Sequence, residues 1–183
     1  MYHVMGRGNH KADIFRDNED YENYLKIVER TKERYPFHLH GYCLMTNHVH
    51  LQIETTNQEL WYIMKNINFI YTQYFNRKYN LIGHLFQGRY HAEIIEDDAY
   101  MLQTSRYIHL NPVKAKMVSN PVHYQWSSYD VYMDQRESEL VSEETILRYF
   151  LDSSRELYRE YVENLLINDT VDEMIKCNLR EDE

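Results

Sequence analysis

Two histidines, His48 and His50, are the first residues of this chain whose spacing suggests chemistry. They alternate with Val49, Leu51 and Ile53, the period of two that is typical of a half-buried strand. The apolar side chains would face the core, and the imidazoles would project from the other face with Cβ atoms roughly 6–7 Å apart. Imidazoles at that spacing can bind one divalent cation. Two polar residues on a solvated face would give the same pattern, so the motif alone does not decide.

A phenol and an amide, Tyr107 and Asn111, lie four residues apart further along the chain, at the end of a helix predicted over 99–109. Two imidazoles, one carbonyl oxygen and open coordination positions suit Mg²⁺ or Mn²⁺ bound to a phosphate. The phenol could then attack that phosphate in line. Two alternatives stay open. Tyr100 lies two turns earlier on nearly the same helical face, and Asn111 could instead cap a short helix that begins at Pro112.

The elements that must position these residues follow in the order strand, helix, strand, strand, helix, strand, helix. Such a βαββαβ arrangement with an added helix predicts an α+β fold with a ferredoxin-like antiparallel sheet. Two helices would cover one face, and the face with the two histidines would be left for the added, catalytic helix or a ligand. The predicted strands are 2–5, 37–45, 48–54 and 92–95. A Thr56-x-x-Glu59 capping box would open the second helix.

A second His-x-His pair, His38 and His40, lies in the strand that precedes the first pair. If a two-residue turn at 46–47 joins the strands, Cys43 would face His50. His38 and His40 would then project to the opposite face. We therefore expect them to be structural rather than metal-ligating.

Charge divides the chain near residue 135. Residues 1–135 carry 14 Lys and Arg against 15 Asp and Glu, a balance of −1, and residues 136–183 carry 6 against 14, a balance of −8. This shift predicts a domain over 1–135 and an acidic helical C-terminal extension over 136–183. Two cysteines, no apolar N-terminal segment and no long apolar run predict a cytoplasmic protein without a membrane partner.

Three further motifs can be compared with known families. They are Tyr2-His3-Val4 with Arg7-Gly8-Asn9, the stretch from Cys43 to Leu51, and the stretch from Arg106 to Ala115. Together they resemble the single-tyrosine HUH transposases, and in particular the branch of REP-associated tyrosine transposases; Trp126-Ser127-Ser128 fits as well. The resemblance covers roughly residues 1–132, and Thr46 departs from it where relatives commonly have proline.

The resemblance implies a metal-dependent enzyme that cuts and rejoins single-stranded DNA beside REP-like hairpins. It implies a 5′-phosphotyrosine at Tyr107, and His48, His50 and Asn111 as ligands of Mg²⁺ or Mn²⁺. It also allows a homodimer. The side chains expected to contact DNA are Arg7, Asn9, Arg89 and Arg106.

Two other functions remain compatible with the sequence. One is an HUH replication initiator or relaxase, although 183 residues leave no room for a helicase or large accessory domain. The other is a protein that binds single-stranded nucleic acid without cutting it.

Overall fold

A computed structural model describes residues 1–164, so the part of the predicted acidic helical extension beyond residue 164 lies outside the described residues. Four strands form an antiparallel sheet in the order β2-β3-β1-β4. This topology confirms the predicted ferredoxin-like βαββαβ sheet. The strands are β1 (Tyr2–Arg7), β2 (Phe37–Met45), β3 (His48–Thr55) and β4 (His91–Ile94).

Helices cover both faces of the sheet. Val49, Leu51 and Ile53 pack against α1 (Asn18–Arg34) and α2 (Leu60–Tyr79) in the main hydrophobic core. Helix α3 (Asp98–Lys114) lies on the other face, against β2 and β3. Within the described residues three further α-helices follow: α4 (Tyr129–Tyr132), α5 (Glu144–Leu147) and α6 (Arg155–Glu163). Within residues 1–164, no helix is both long and apolar enough to span a membrane.

The first two helices begin differently. Asp17 accepts a hydrogen bond from the Asp20 amide and caps α1. The capping box predicted for α2 is wrong, because Glu59 precedes the helix without a side-chain cap. The Thr56 hydroxyl instead donates to the carbonyl of Pro36.

Helix α3 does not end at Asn111-Pro112, as the sequence suggested, but continues to Lys114. Proline is tolerated here because it lies in the last turn, where its missing N–H costs a single backbone hydrogen bond. Packing holds this turn in place, since Ile108 belongs to a buried cluster with Cys43 and Met45 of β2, and Leu110 belongs to the main core. Asn111 is therefore a residue of the helix and not the cap of a new one.

The second histidine pair lies on a different face from the predicted one. The two-residue turn at 46–47 and the pairing of Cys43 with His50 are confirmed. An irregularity between Leu39 and Gly41, however, shifts the register and pairs His38 with Glu54. His40 is fully buried and hydrogen-bonds to Glu54 at 2.8 Å.

Residues 141–162 pack into the same hydrophobic core as the sheet. Val141, Ile146 and Leu147 are buried there, and so are Tyr158 and Val162 of α6. Helix α6 contacts the catalytic-helix candidate α3 directly. The boundary at residue 135 stays a prediction, but part of the acidic segment contributes to the core.

Candidate active site

Strand β3 and the turn before it position the two candidate metal ligands. The imidazole centroids of His48 and His50 lie 5.0 Å apart with the rings nearly perpendicular. His48 Nδ1 is 2.7 Å from Asn47 Oδ1, and His50 Nδ1 is 3.1 Å from His3 Nε2. In both rings the Nδ1 atom is therefore occupied by a protein partner, which leaves Nε2 for another ligand.

Electrostatics keep both imidazoles neutral. Burial, assisted by the nearby Arg7 charge, lowers the pKa of His48 to about 4. Burial also lowers the pKa of His50 well below its ordinary value, and His48, His3 and Arg7 act in the same direction. A neutral imidazole has the free lone pair that a metal ion requires. Both histidines are thus neutral near pH 7, each with one unprotonated ring nitrogen.

Helix α3 places Tyr107 against the histidines. Its ring meets His50 edge-on at 5.5 Å and His3 at 5.7 Å. The Lys114 ammonium lies 5.0 Å from the centre of the same ring. Burial raises the pKa of the Tyr107 phenol, and the Glu93 carboxylate raises it further, while a hydrogen bond from Asn111 lowers it. The phenol is accordingly protonated at neutral pH.

Tyr100, the alternative phenol, is held elsewhere. The hydroxyl of Tyr100 donates to Glu93 Oε2 at 2.7 Å. The ring that contacts His3 and His50 is that of Tyr107. The structure therefore brings Tyr107, rather than Tyr100, to the histidine pair.

The Asn111 amide is oriented with its nitrogen towards the backbone. Its Nδ2 donates to the carbonyl of Tyr107 at 2.9 Å, and the residue is 9 % exposed. That orientation leaves Oδ1, a carbonyl oxygen, free of this contact. An oxygen of this type is a suitable ligand for Mg²⁺ or Mn²⁺.

The donor atoms of His48, His50 and Asn111 would suit a divalent cation whose remaining coordination positions are filled by ligands from outside the protein. Within residues 1–164 no group of three or more His, Cys, Asp or Glu side chains is arranged to hold a metal ion. Two neutral imidazoles whose Nδ1 atoms are engaged, with the amide oxygen of Asn111 one helical turn from Tyr107, would leave coordination positions open for phosphate oxygens. These residues are compatible with the site that the sequence suggested.

The four residues expected to contact DNA have different surroundings. Arg7 is exposed beside His48, its partner across the sheet, and Asn9 is half-buried. Arg89 is exposed and lines a groove with Trp61, Lys65 and Tyr90.

Arg106 is engaged with the end of α6. Its Nη2 donates to the carbonyl of Asn164 at 2.7 Å, and its guanidinium lies 5.8 Å from the Tyr161 ring centre. A contact between Arg106 and DNA stays a prediction.

Sequence reasoning missed two residues of this site, His3 and Glu93. His3 shares the alternation of β1 with Arg7, so the period of two could have placed both on the histidine face. Glu93 lies directly opposite His3 on β4. Neither position can be recognised until the order of the strands is known.

Comparisons with known proteins show the family to which the chain is similar. A family model described as "Transposase IS200 like" matches residues 1–111. A curated relative from Haemophilus influenzae, named as a REP-associated tyrosine transposase, is 28% identical over 124 residues, which are 60% of this chain and 69% of the relative. The fold matches a solved REP-associated tyrosine transposase bound to a REP hairpin with a TM-score of 0.61 and 13% identity, covering 77% of this chain and 89% of the other.

Proposed function

The chain belongs to the IS200-like transposases, tyrosine enzymes that cut and rejoin DNA, and we propose that it acts on single-stranded DNA beside REP-like hairpins. In this proposal Tyr107 attacks a backbone phosphate and becomes linked to the 5′ end of the cut strand, while the other end leaves as a free 3′ hydroxyl. The contact between the Tyr107 ring and His50 is the observation that carries the proposal.

His48, His50 and Asn111 would hold the metal ion. When bound, Mg²⁺ or Mn²⁺ would offset the negative charge of the scissile phosphate. The protein itself orients the reacting groups. Asn47 and His3 fix the two imidazole rings, and α3 carries the phenol and the Asn111 amide one helical turn apart.

The protonated Tyr107 must lose its proton on attack. Burial and Glu93 oppose that loss in the free protein, while Asn111 favours it. We infer that the phenol ionises only with substrate in place.

The groove beside Arg89 is suited to the single strand that flanks the hairpin. It has a volume of about 660 Å³ and combines Trp61 and Tyr90 with the cations Lys65 and Arg89. Aromatic faces stack on unpaired bases and cations neutralise phosphates, so this combination suits single-stranded nucleic acid. The backbone N–H of Gln87, in the same loop, donates to the backbone carbonyl of Arg7 at 2.8 Å. That loop could therefore guide a strand from the groove towards Arg7 and the histidines.

A covalent adduct is the direct test of the proposed chemistry. The protein would be incubated with Mn²⁺ and a panel of labelled hairpin oligonucleotides that carry single-stranded flanks, and then analysed on denaturing gels. We expect an adduct with the wild-type protein and none with Tyr107→Phe, which keeps the ring but removes the attacking oxygen. Tyr100→Phe is the matched control on the same helix and should form the adduct at a rate within a few-fold of wild type.

Each alternative predicts a different gel. A protein that only binds DNA would shift the hairpin in native gels but give no adduct with any oligonucleotide or metal. An adduct that persists in Tyr107→Phe and disappears in Tyr100→Phe would overturn the assignment of the nucleophile. Equal cutting of hairpins and unstructured strands would instead refute the hairpin preference.

A further inference from the structure

A chain of buried polar groups runs from the metal-ligand candidate His50 across the sheet. His50 Nδ1 is 3.1 Å from His3 Nε2, and the two rings are stacked with centroids 5.3 Å apart. On its far side, His3 Nδ1 lies 3.8 Å from Glu93 Oε2. His3 is fully buried, and its Nδ1 has no hydrogen-bond partner within the described residues. The order of the strands explains this row of polar groups, because β1, which carries His3, lies between β3 and β4.

Glu93 is itself held in position. Its Oε2 accepts the Tyr100 hydroxyl at 2.7 Å, and its Oε1 lies 3.5 Å from His91 Nε2. The side chain of Glu93 is 10 % exposed. The carboxylate is therefore a fixed negative charge next to a buried imidazole, rather than a mobile surface group.

We propose that Glu93 and His3 are positioning residues that hold His50 in the one tautomer able to bind the metal. This inference rests on the proposed role of His50 as a ligand. His50 can offer an Nε2 lone pair only if its proton is on Nδ1, where it donates to His3 Nε2. His3 must then carry its own proton on Nδ1, and that proton points to the Glu93 carboxylate.

The opposite arrangement is unfavourable for an electrostatic reason. If His3 donated from Nε2 to His50, the proton of His50 would lie on Nε2 and block that position. Neutral His3 would also direct an Nδ1 lone pair at the Glu93 carboxylate, 3.8 Å away. The negative charge of Glu93 thus selects the binding-competent tautomer through His3. Hydrogen-bonded partners of this kind behind metal-ligating histidines typically change metal affinity by roughly 10–100-fold when they are mutated.

Glu93→Gln tests the inference because it keeps the shape of the side chain and removes its charge. We expect long-range ¹H–¹⁵N spectra of the metal-free protein to show His50 protonated on Nδ1 in wild type and a mixture of tautomers in Glu93→Gln. We also expect the Mn²⁺ dissociation constant, measured by calorimetry without DNA, to rise by about 10-fold.

The chain offers a matched control and a rescue. Glu54→Gln makes the same change beside another buried imidazole, since Glu54 Oε2 lies 2.8 Å from His40 Nε2. It should change neither the tautomer of His50 nor the affinity for Mn²⁺. His3→Gln can still accept from His50 and donate towards Glu93, so it should bind Mn²⁺ nearly as well as wild type. His3→Leu can do neither and should lose affinity.

The outcomes separate this inference from the proposed function. If wild-type His50 is protonated on Nε2, or if Glu93→Gln changes neither the tautomer nor Mn²⁺ affinity, the positioning role is wrong even where the enzyme cuts DNA. If wild-type protein shows the expected tautomer but His48→Ala and His50→Ala bind Mn²⁺ as wild type does, the metal site of the proposed function is wrong instead. Loss of affinity in His3→Gln equal to that in His3→Leu would contradict the hydrogen-bond relay.

Discussion

The buried hydroxyl of Tyr158 on α6 hydrogen-bonds to α3, and removing that hydroxyl tests whether the acidic segment belongs to the domain. Tyr158 is fully buried, and its hydroxyl lies 2.7 Å from both Ser105 Oγ and His109 Nδ1 of α3. His109 Nε2 continues the network to Ser128 at 2.8 Å. Tyr158→Phe removes one oxygen and leaves the ring packing intact.

The expected loss of stability follows from those contacts. The substitution breaks two short hydrogen bonds and leaves two buried polar atoms, Ser105 Oγ and His109 Nδ1, without this partner. A buried polar group left unsatisfied typically costs about 1–3 kcal/mol. Since the serine hydroxyl can rotate and the two losses overlap, we expect the free energy of unfolding to fall by about 2 kcal/mol. For a chain of this size that corresponds to a Tm lower by roughly 4–8 °C.

Urea denaturation followed by circular dichroism would measure this change. Tyr161→Phe is the control, because Tyr161 lies on the same helix, is half-buried and makes no hydrogen bond through its hydroxyl within the described residues. We expect Tyr161→Phe to stay within about 0.5 kcal/mol of wild type. Equal effects of the two substitutions, or no effect of Tyr158→Phe, would mean that α6 does not brace α3.

Two more predictions concern DNA and pH. Trp61→Ala and Arg89→Ala should each weaken binding of a hairpin with a single-stranded flank by at least 5-fold in fluorescence anisotropy. Trp61→Ala would lose about 1–3 kcal/mol of stacking on a base, and Arg89→Ala would lose a phosphate contact. Lys26→Ala, on the exposed side of α1, is the control and should not weaken binding; equal effects of all three would refute the groove as a DNA path. Burial lowers the pKa of His109 to about 3, below its value of about 6.5 in the unfolded chain, so the unfolded state takes up the proton first as the pH falls. Stability should therefore decrease from pH 6.5 towards 3, by about 2 kcal/mol from this residue between pH 6.5 and 5, and His109→Gln should flatten the profile in urea titrations; an unchanged slope would contradict the assignment.

The sequence was sufficient where the determining contacts are local. A two-residue turn at 46–47 sets the register of β2 against β3, so the partner of His50 could be named before the structure was known. The spacing of Tyr107 and Asn111 likewise placed both on one side of α3, because helical periodicity extends over a single turn. Both predictions needed only residues that are neighbours in the chain.

Long-range packing decided the features that were mispredicted. Pro112 is a helix-stopping signal by its own chemistry, yet the buried residues around it keep α3 helical to Lys114. The shift near His40 has no local signature, because its stabilising partners, Glu54 and the carbonyl of Ser142, lie 14 and 102 residues away. The negative charge of residues 136–183 predicted a separate extension, although apolar side chains of α5 and α6 pack in the core.

The candidate site depends both on local sequence patterns and on long-range packing. His48 and His50 are set by alternation within one strand, but the groups that would make His50 a ligand come from two other strands. His3 is 47 residues from His50 in sequence, and it reaches Glu93 only because β1 is inserted between β3 and β4. A motif of two histidines therefore identifies the candidate ligands, while the order of the strands determines which nitrogen of His50 is free to bind. If the tautomer of His50 depends on Glu93 as we propose, the ferredoxin-like topology contributes to the chemistry of the site as well as to its shape.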